Sequence, residues 1–144
     1  MTLNFRRAVV GMAATTLVYA VAGCAATEVN GRVRHGLEIE VDKSLGRATK
    51  IRYTYGDEIV DQARPTAIAI GAFTTYVASM PIPEEFRISW ETPDGGMHEA
   101  IVPVRRFIRG SIANKNIVFV IMQDCVEGYV GVDTPYGHKR ERFY

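Results

Sequence analysis

The chain has 144 residues, 17 Lys and Arg against 16 Asp and Glu, and two cysteines. That length fits one ordinary domain with a single core rather than two. The near balance of charge argues against a nucleic-acid binder that works by neutralising phosphates.

The chain opens with Arg6 and Arg7 and no acidic residue, followed by an apolar run from Ala8 to Ala22 that ends in small residues and a cysteine. This is the charged, apolar, small-residue order of a secretory signal. The run is shorter than the roughly 20 residues needed to span a bilayer as a helix, so a permanent transmembrane helix is the weaker reading. Val21-Ala22-Gly23-Cys24 resembles the bacterial lipobox, in which cleavage falls just before a diacylated cysteine; Leu is the preferred first residue, and Val21 departs from it mildly. The resemblance implies a lipoprotein signal peptide over 1–23 and a lipid on Cys24 that anchors the mature protein to the membrane. Ala25 stands where Asp resembles an inner-membrane retention signal, which favours the outer membrane, facing the periplasm. Without 23 of its 144 residues, Arg6 and Arg7 among them, the mature chain has 121 residues with 15 basic and 16 acidic, a net charge of −1. With Cys24 alkylated, Cys125 has no partner and no internal disulfide is expected. After the apolar run IVFVIM, Cys125 reads as a small buried hydrophobe.

Residues 24–35 read as a tether and 36–144 as the folded domain. Leu37, Ile39 and Val41 alternate with acidic residues, and Ile51, Tyr53 and Tyr55 alternate with Arg52 and Thr54, each the pattern of a half-buried strand. The intervening KSLGRA suggests a hairpin. GDEIVDQARP reads as a loop or short helical turn, and TAIAIGAFTTYVA as one or two strands with a bulge or break at Gly71. Phe86, Ile88 and Trp90 share one strand face; Pro93-Asp94-Gly95-Gly96 is a turn; and His98, Ala100, Val102 and Val104 line the return arm, making a hairpin. IVFVIM, apolar on both faces, predicts a central strand covered on each side. GYVGV is the last strand candidate, and TPYGHKRERFY is a basic aromatic tail that reads either as touching anionic lipid headgroups through Lys139, Arg140 and Arg142 or, the favoured reading, as pinning the chain to the core through Phe143 and Tyr144. About seven short strands predict an all-β fold, a single antiparallel β-sandwich that could take an immunoglobulin-like form with Trp90 in its core.

No Gly-x-Ser-x-Gly elbow is present, which disfavours a serine hydrolase. His35, His98 and His138 stand far apart, without metal-ligand spacing, and His98 and Glu99 point to opposite sheet faces. Neither a cofactor nor a metal is expected, and an enzyme is the least favoured class. The stretches WETPDGGMHEAIVPVR and FVIMQDCVEGYVG, with KRERFY, resemble small lipoproteins encoded beside type VI secretion phospholipase effectors. The resemblance covers about half of the mature chain and implies an immunity protein that binds and inhibits a cognate lipase effector. Polar loops at strand ends are the usual carriers of recognition, so the expected contact residues are Tyr55, Asp57, Glu58, Asp61 and Asp94. The alternatives are a structural or assembly lipoprotein of the envelope or a secretion complex, and a small ligand-binding lipoprotein with an apolar pocket lined by residues such as Phe73, Tyr76 and Phe107.

Overall fold

The computed structural model describes residues 31–60, 68–69, 73–135 and 137–144; residues 1–23, Cys24, Asp61 and Gly71 lie outside them. The strands are β1 (Arg32–Val41), β2 (Arg47–Tyr55), β3 (Ile59–Val60), β4 (Ile68–Ala69), β5 (Phe73–Pro81), β6 (Phe86–Glu91) and β7 (Met97–Val102). A four-residue helix, α1 (Val104–Phe107), precedes β8 (Asn116–Ile121), β9 (Val126–Thr134) and β10 (Gly137–Arg142). One sheet runs β10-β9-β8-β1-β5 and the other β3-β2-β6-β7, with β4 also paired to β2. The chain is an all-β sandwich, with one pairing that departs from the expected antiparallel pattern: β1 and β8 run parallel. Strands so far apart in sequence can pair this way because a long crossover through the opposite sheet joins them.

The period-2 patterns become the inner faces. Leu37, Ile39 and Val41 of β1, Ile117, Phe119 and Ile121 of β8, and Phe86, Ile88 and Trp90 of β6 are all buried. Phe86 and Phe119 stack across the sandwich with ring centroids 3.8 Å apart and planes within 3°. As the IVFVIM pattern predicts, β8 is the middle strand of its sheet, and its outward Val118 is buried too. The β6–β7 hairpin forms as expected, and its register sets Trp90 opposite His98. Strand β7 stops at Val102, because Pro103 cannot donate to the ladder and α1 starts at Val104.

Several expectations give way. KSLGRA closes no hairpin: β1 and β2 lie in different sheets, and the turn between them crosses the sandwich. Leu45 is the reason, since it is buried at the turn while Gly46, at φ +78°, accepts the left-handed backbone that brings the chain round. The first two strands share a sheet in immunoglobulin domains, so this strand order is a different one. Arg32–His35, read as the end of a tether, belong to β1, and His35 is buried. The loop after Tyr55 contains β3, and the charged tail forms an edge strand, β10. Phe143 then packs edge-on to Phe119, centroids 6.2 Å apart, over Gly128. Cys125 is exposed, because β8 ends at Ile121 and the tight turn to β9 carries the thiol outside the apolar run.

Candidate functional site

Of the five residues expected to bind a partner, Asp61 lies outside the described residues, and the other four do not form one surface. Tyr55 is 1% exposed, an inward residue of β2 rather than a loop residue. Its hydroxyl donates to His35 Nε2 at 2.9 Å, while His35 Nδ1 donates to the Val33 carbonyl at 2.8 Å. A carbonyl only accepts, so the neutral ring carries its proton on Nδ1 and receives the tyrosine proton donor on Nε2. Burial raises the Tyr55 pKa and lowers that of His35, so both stay neutral.

Asp57 and Glu58 are exposed in the turn after β2, beside the start of β6, whereas Asp94 lies in the turn at its far end. The six residues of β6 separate them by roughly 20 Å. Glu58 is held by the Arg32 guanidinium, which keeps its carboxyl pKa below the usual value. Asp94 braces its own turn: Thr92 Oγ1 donates to it at 2.5 Å and the Gly96 N–H at 3.3 Å. Gly95 supplies the turn's positive φ, at +87°. Asp57 is exposed and its side chain has no partner among the described residues. Nor do the residues of the expected apolar pocket converge. Tyr76 is on β5, at one edge of the five-stranded sheet, while Phe107 packs on Tyr144 beyond the opposite edge, centroids 5.6 Å apart.

The two outer faces of the sandwich differ in a way that locates a better candidate. On the five-stranded sheet, Arg140 of β10 lies over Gly131 and reaches Glu40 of β1, with Nη1 2.8 Å from Oε2. Asn116 donates to Glu38 at 2.7 Å, and Arg142 pairs with Glu127 at 2.9 Å. These pairs cross the face on which Val118, in register with Glu38, is buried. On the other face the cross-strand contacts gather at one end, where Glu91 pairs with Lys50 and accepts from Thr49 Oγ1 at 3.4 Å; among the described residues no ion pair crosses the rows beyond it. The rows, set by register, are Thr49–Glu91–Met97, Arg52–Ser89–Glu99 and Thr54–Arg87–Ile101. A shallow concavity of about 320 Å³ lies among Arg52, Thr54, Arg87, Ser89 and Glu99. Arg87 is paired with Glu85, its Nε 2.6 Å from Oε1, whereas Arg52 has no partner among the described residues. Beside the concavity, Met97 and Ile101 are 60% and 43% exposed.

This is an unsealed, mixed polar and apolar surface on a rigid sheet, with the arginine and methionine enrichment of recognition patches. Lys50 contributes to its shape. With φ +50° it forms a bulge in β2 opposite Trp90, which turns both Ala48 and Ile51 inward and leaves Arg52 outward. The sequence signal was available: Met97 and Ile101 occupy the polar phase of β7, where alternation alone would place hydrophilic residues.

No protein-family model and no curated protein matches the sequence. Among solved structures, the chain is similar to one described as the NMR structure of the protein from Eubacterium rectale. The TM-score is 0.42 and the identity 9%, over 73% of this chain and 93% of that one. Among the described residues no group of three His, Cys, Asp or Glu side chains could hold a metal ion.

Proposed function

We propose that this chain is a lipid-anchored immunity protein of the bacterial envelope, held by Cys24 at the periplasmic face of the outer membrane, which binds a type VI secretion lipase effector and blocks its active site. The observation that carries the binding part is the open face of β2, β6 and β7, with Arg52 unpaired among the described residues and Met97 and Ile101 exposed beside it. The stretch WETPDGGMHEAIVPVR, which bears part of the resemblance to immunity lipoproteins, supplies the end of β6, the turn and β7 of that same face. The signal-like segment ending in Val21-Ala22-Gly23-Cys24 supports the anchor. Inhibition by occlusion requires a rigid surface and no catalytic group, and a tether places that surface at the bilayer a lipase attacks.

Co-expression with the lipase encoded beside the gene, directed to the periplasm, tests the reading. The wild-type chain rescues growth and co-purifies with the lipase, and the Arg52→Glu, Ile101→Glu variant, with an unchanged urea midpoint, does neither. Absence of rescue and of co-purification by the wild-type chain would overturn the proposal. Capture of envelope assembly proteins with no change in lipase toxicity would favour the structural lipoprotein instead.

A further inference from the structure

A second concavity lies away from this face, where the segment 108–115 closes over the β9–β10 side of the sandwich. Its volume is about 140 Å³. Ile112, Val130 and Phe143 form apolar walls, and Arg109, Lys115 and Arg142 supply positive charge around them. Arg142 is partly engaged by Glu127 at 2.9 Å, whereas the side chains of Arg109 and Lys115 have no partner among the described residues. One carboxylate, Glu141, also lines the concavity and opposes an anion there. Next to it stands the exposed pair Phe107 and Tyr144, with the Arg106 guanidinium 5.6 Å from the Phe107 ring centroid.

We propose that this concavity binds the phosphate headgroup of an anionic phospholipid, with Phe107 and Tyr144 resting at the bilayer interface. Three features favour that ligand. The cations outnumber the carboxylate and two of them are uncommitted among the described residues, so a phosphate gains pairing there without breaking a described pair. The volume is below the roughly 300 Å³ at which pockets begin to enclose whole small ligands, so it suits a headgroup whose chains stay outside. Exposed aromatics beside basic residues match the headgroup level of a membrane, where such rings are enriched.

The position of the site agrees with an anchor at Cys24, and in this respect the proposal rests on the anchored reading. The Asn114 N–H donates to the Arg34 carbonyl at 2.8 Å, so the segment bearing Arg109 and Lys115 is fastened to the beginning of β1. Cys24 precedes Arg32 by eight residues, a reach of at most about 28 Å. A lipid on Cys24 therefore sits within reach of a bilayer that the concavity also contacts.

The test uses the unlipidated chain from Ala25, which contains every described residue, in flotation with phosphatidylcholine vesicles with and without phosphatidylglycerol. Because Cys24 is absent, the result is independent of whether the cell lipidates it. The chain floats with the phosphatidylglycerol vesicles and not with phosphatidylcholine alone. The Arg109→Ala and Lys115→Ala changes each weaken binding about fivefold, and Glu141→Gln strengthens it, all with unchanged urea midpoints. Equal binding by the double alanine variant, or no binding to phosphatidylglycerol, would overturn the proposal. So would saturation of the site by inorganic phosphate without vesicle binding, which would make it a free-phosphate site.

Discussion

His35 Nε2 and the Tyr55 hydroxyl meet at 2.9 Å between the two sheets, linking the first strand of one to the second strand of the chain in the other. The contact works only with His35 neutral, since its Nδ1 proton is committed to the Val33 carbonyl. Burial holds the His35 pKa below its ordinary value, so the unfolded chain takes up the proton first. The stability from neutral His35 is complete above the unfolded pKa of about 6.5 and is lost as pH falls below it. The urea midpoint is expected to drop between about pH 7.5 and about pH 5.5, and His35→Gln to flatten that slope. An unchanged slope in the variant would assign the pH dependence elsewhere.

Removing only the hydroxyl tests the same pair from the other side. Tyr55→Phe keeps the ring beside Phe86, centroids 6.5 Å apart, but leaves a buried imidazole nitrogen without its donor. A loss of about 1–3 kcal/mol is expected from urea unfolding at neutral pH. A neutral result would mean that another donor reaches Nε2.

The Phe86 and Phe119 stack joins the sheets through their most buried positions, both at 0% exposure. Phe119→Ala removes the ring and its partners' contacts together, with an expected cost of about 3–5 kcal/mol. Phe119→Leu fills part of the volume and costs less. Equal losses in the two variants would show that the aromatic geometry, not the volume, dominates.

Gly128 allows the C-terminal residues to close the sandwich. A Cβ there would sit 2.6 Å from Phe143 Cζ, a ring wedged against Phe119. Gly128→Ala is expected to displace Phe143, cost about 1–3 kcal/mol, and speed amide exchange in β10 more than in β1. Retained protection in β10 would show that the ring has room to shift.

The two outer faces predict opposite responses to losing an arginine. Arg140 is held by Glu40 and approached by Glu38, and its side chain is one-third exposed. Screening by solvent limits the pair, so Arg140→Ala is expected to cost no more than about 1 kcal/mol, falling with added salt. Arg52→Ala breaks no pair among the described residues and is expected to leave stability from urea unfolding within about 0.5 kcal/mol of wild type. That difference makes Arg52 variants suitable for reading binding apart from folding.

The alternating patterns made the strands and their inner faces readable, and the β6–β7 hairpin was legible with its turn because PDGG and the flanking periodicity agree. Which strands pair was not legible. A turn such as KSLGRA looks the same locally whether it joins neighbours or crosses between sheets, and only the burial of Leu45 decides. The charged β10 was hidden for a related reason: as an edge strand it keeps Arg140 and Arg142 on its outward side, where they answer acidic residues on β1 and β9. Tyr55 shows two signals in competition. Its phase with Ile51 and Tyr53 points inward, its place beside a polar loop points outward, and the phase wins. The open face of β2, β6 and β7 was written in Met97 and Ile101, but it takes the register to bring them beside Arg52 and Arg87.

The proposed anchor depends on Cys24, whose acylation would confine this small β-sandwich to a membrane surface. Expression of the full chain in a bacterial host with labelled palmitate, followed by fractionation and mass measurement of the N-terminal peptide, tests it directly. The expected result is a mature chain beginning at an acylated Cys24 in the membrane fraction, with both label and membrane association lost in Cys24→Ser. An unmodified Cys24, or cleavage elsewhere that releases a soluble periplasmic chain, would contradict the account.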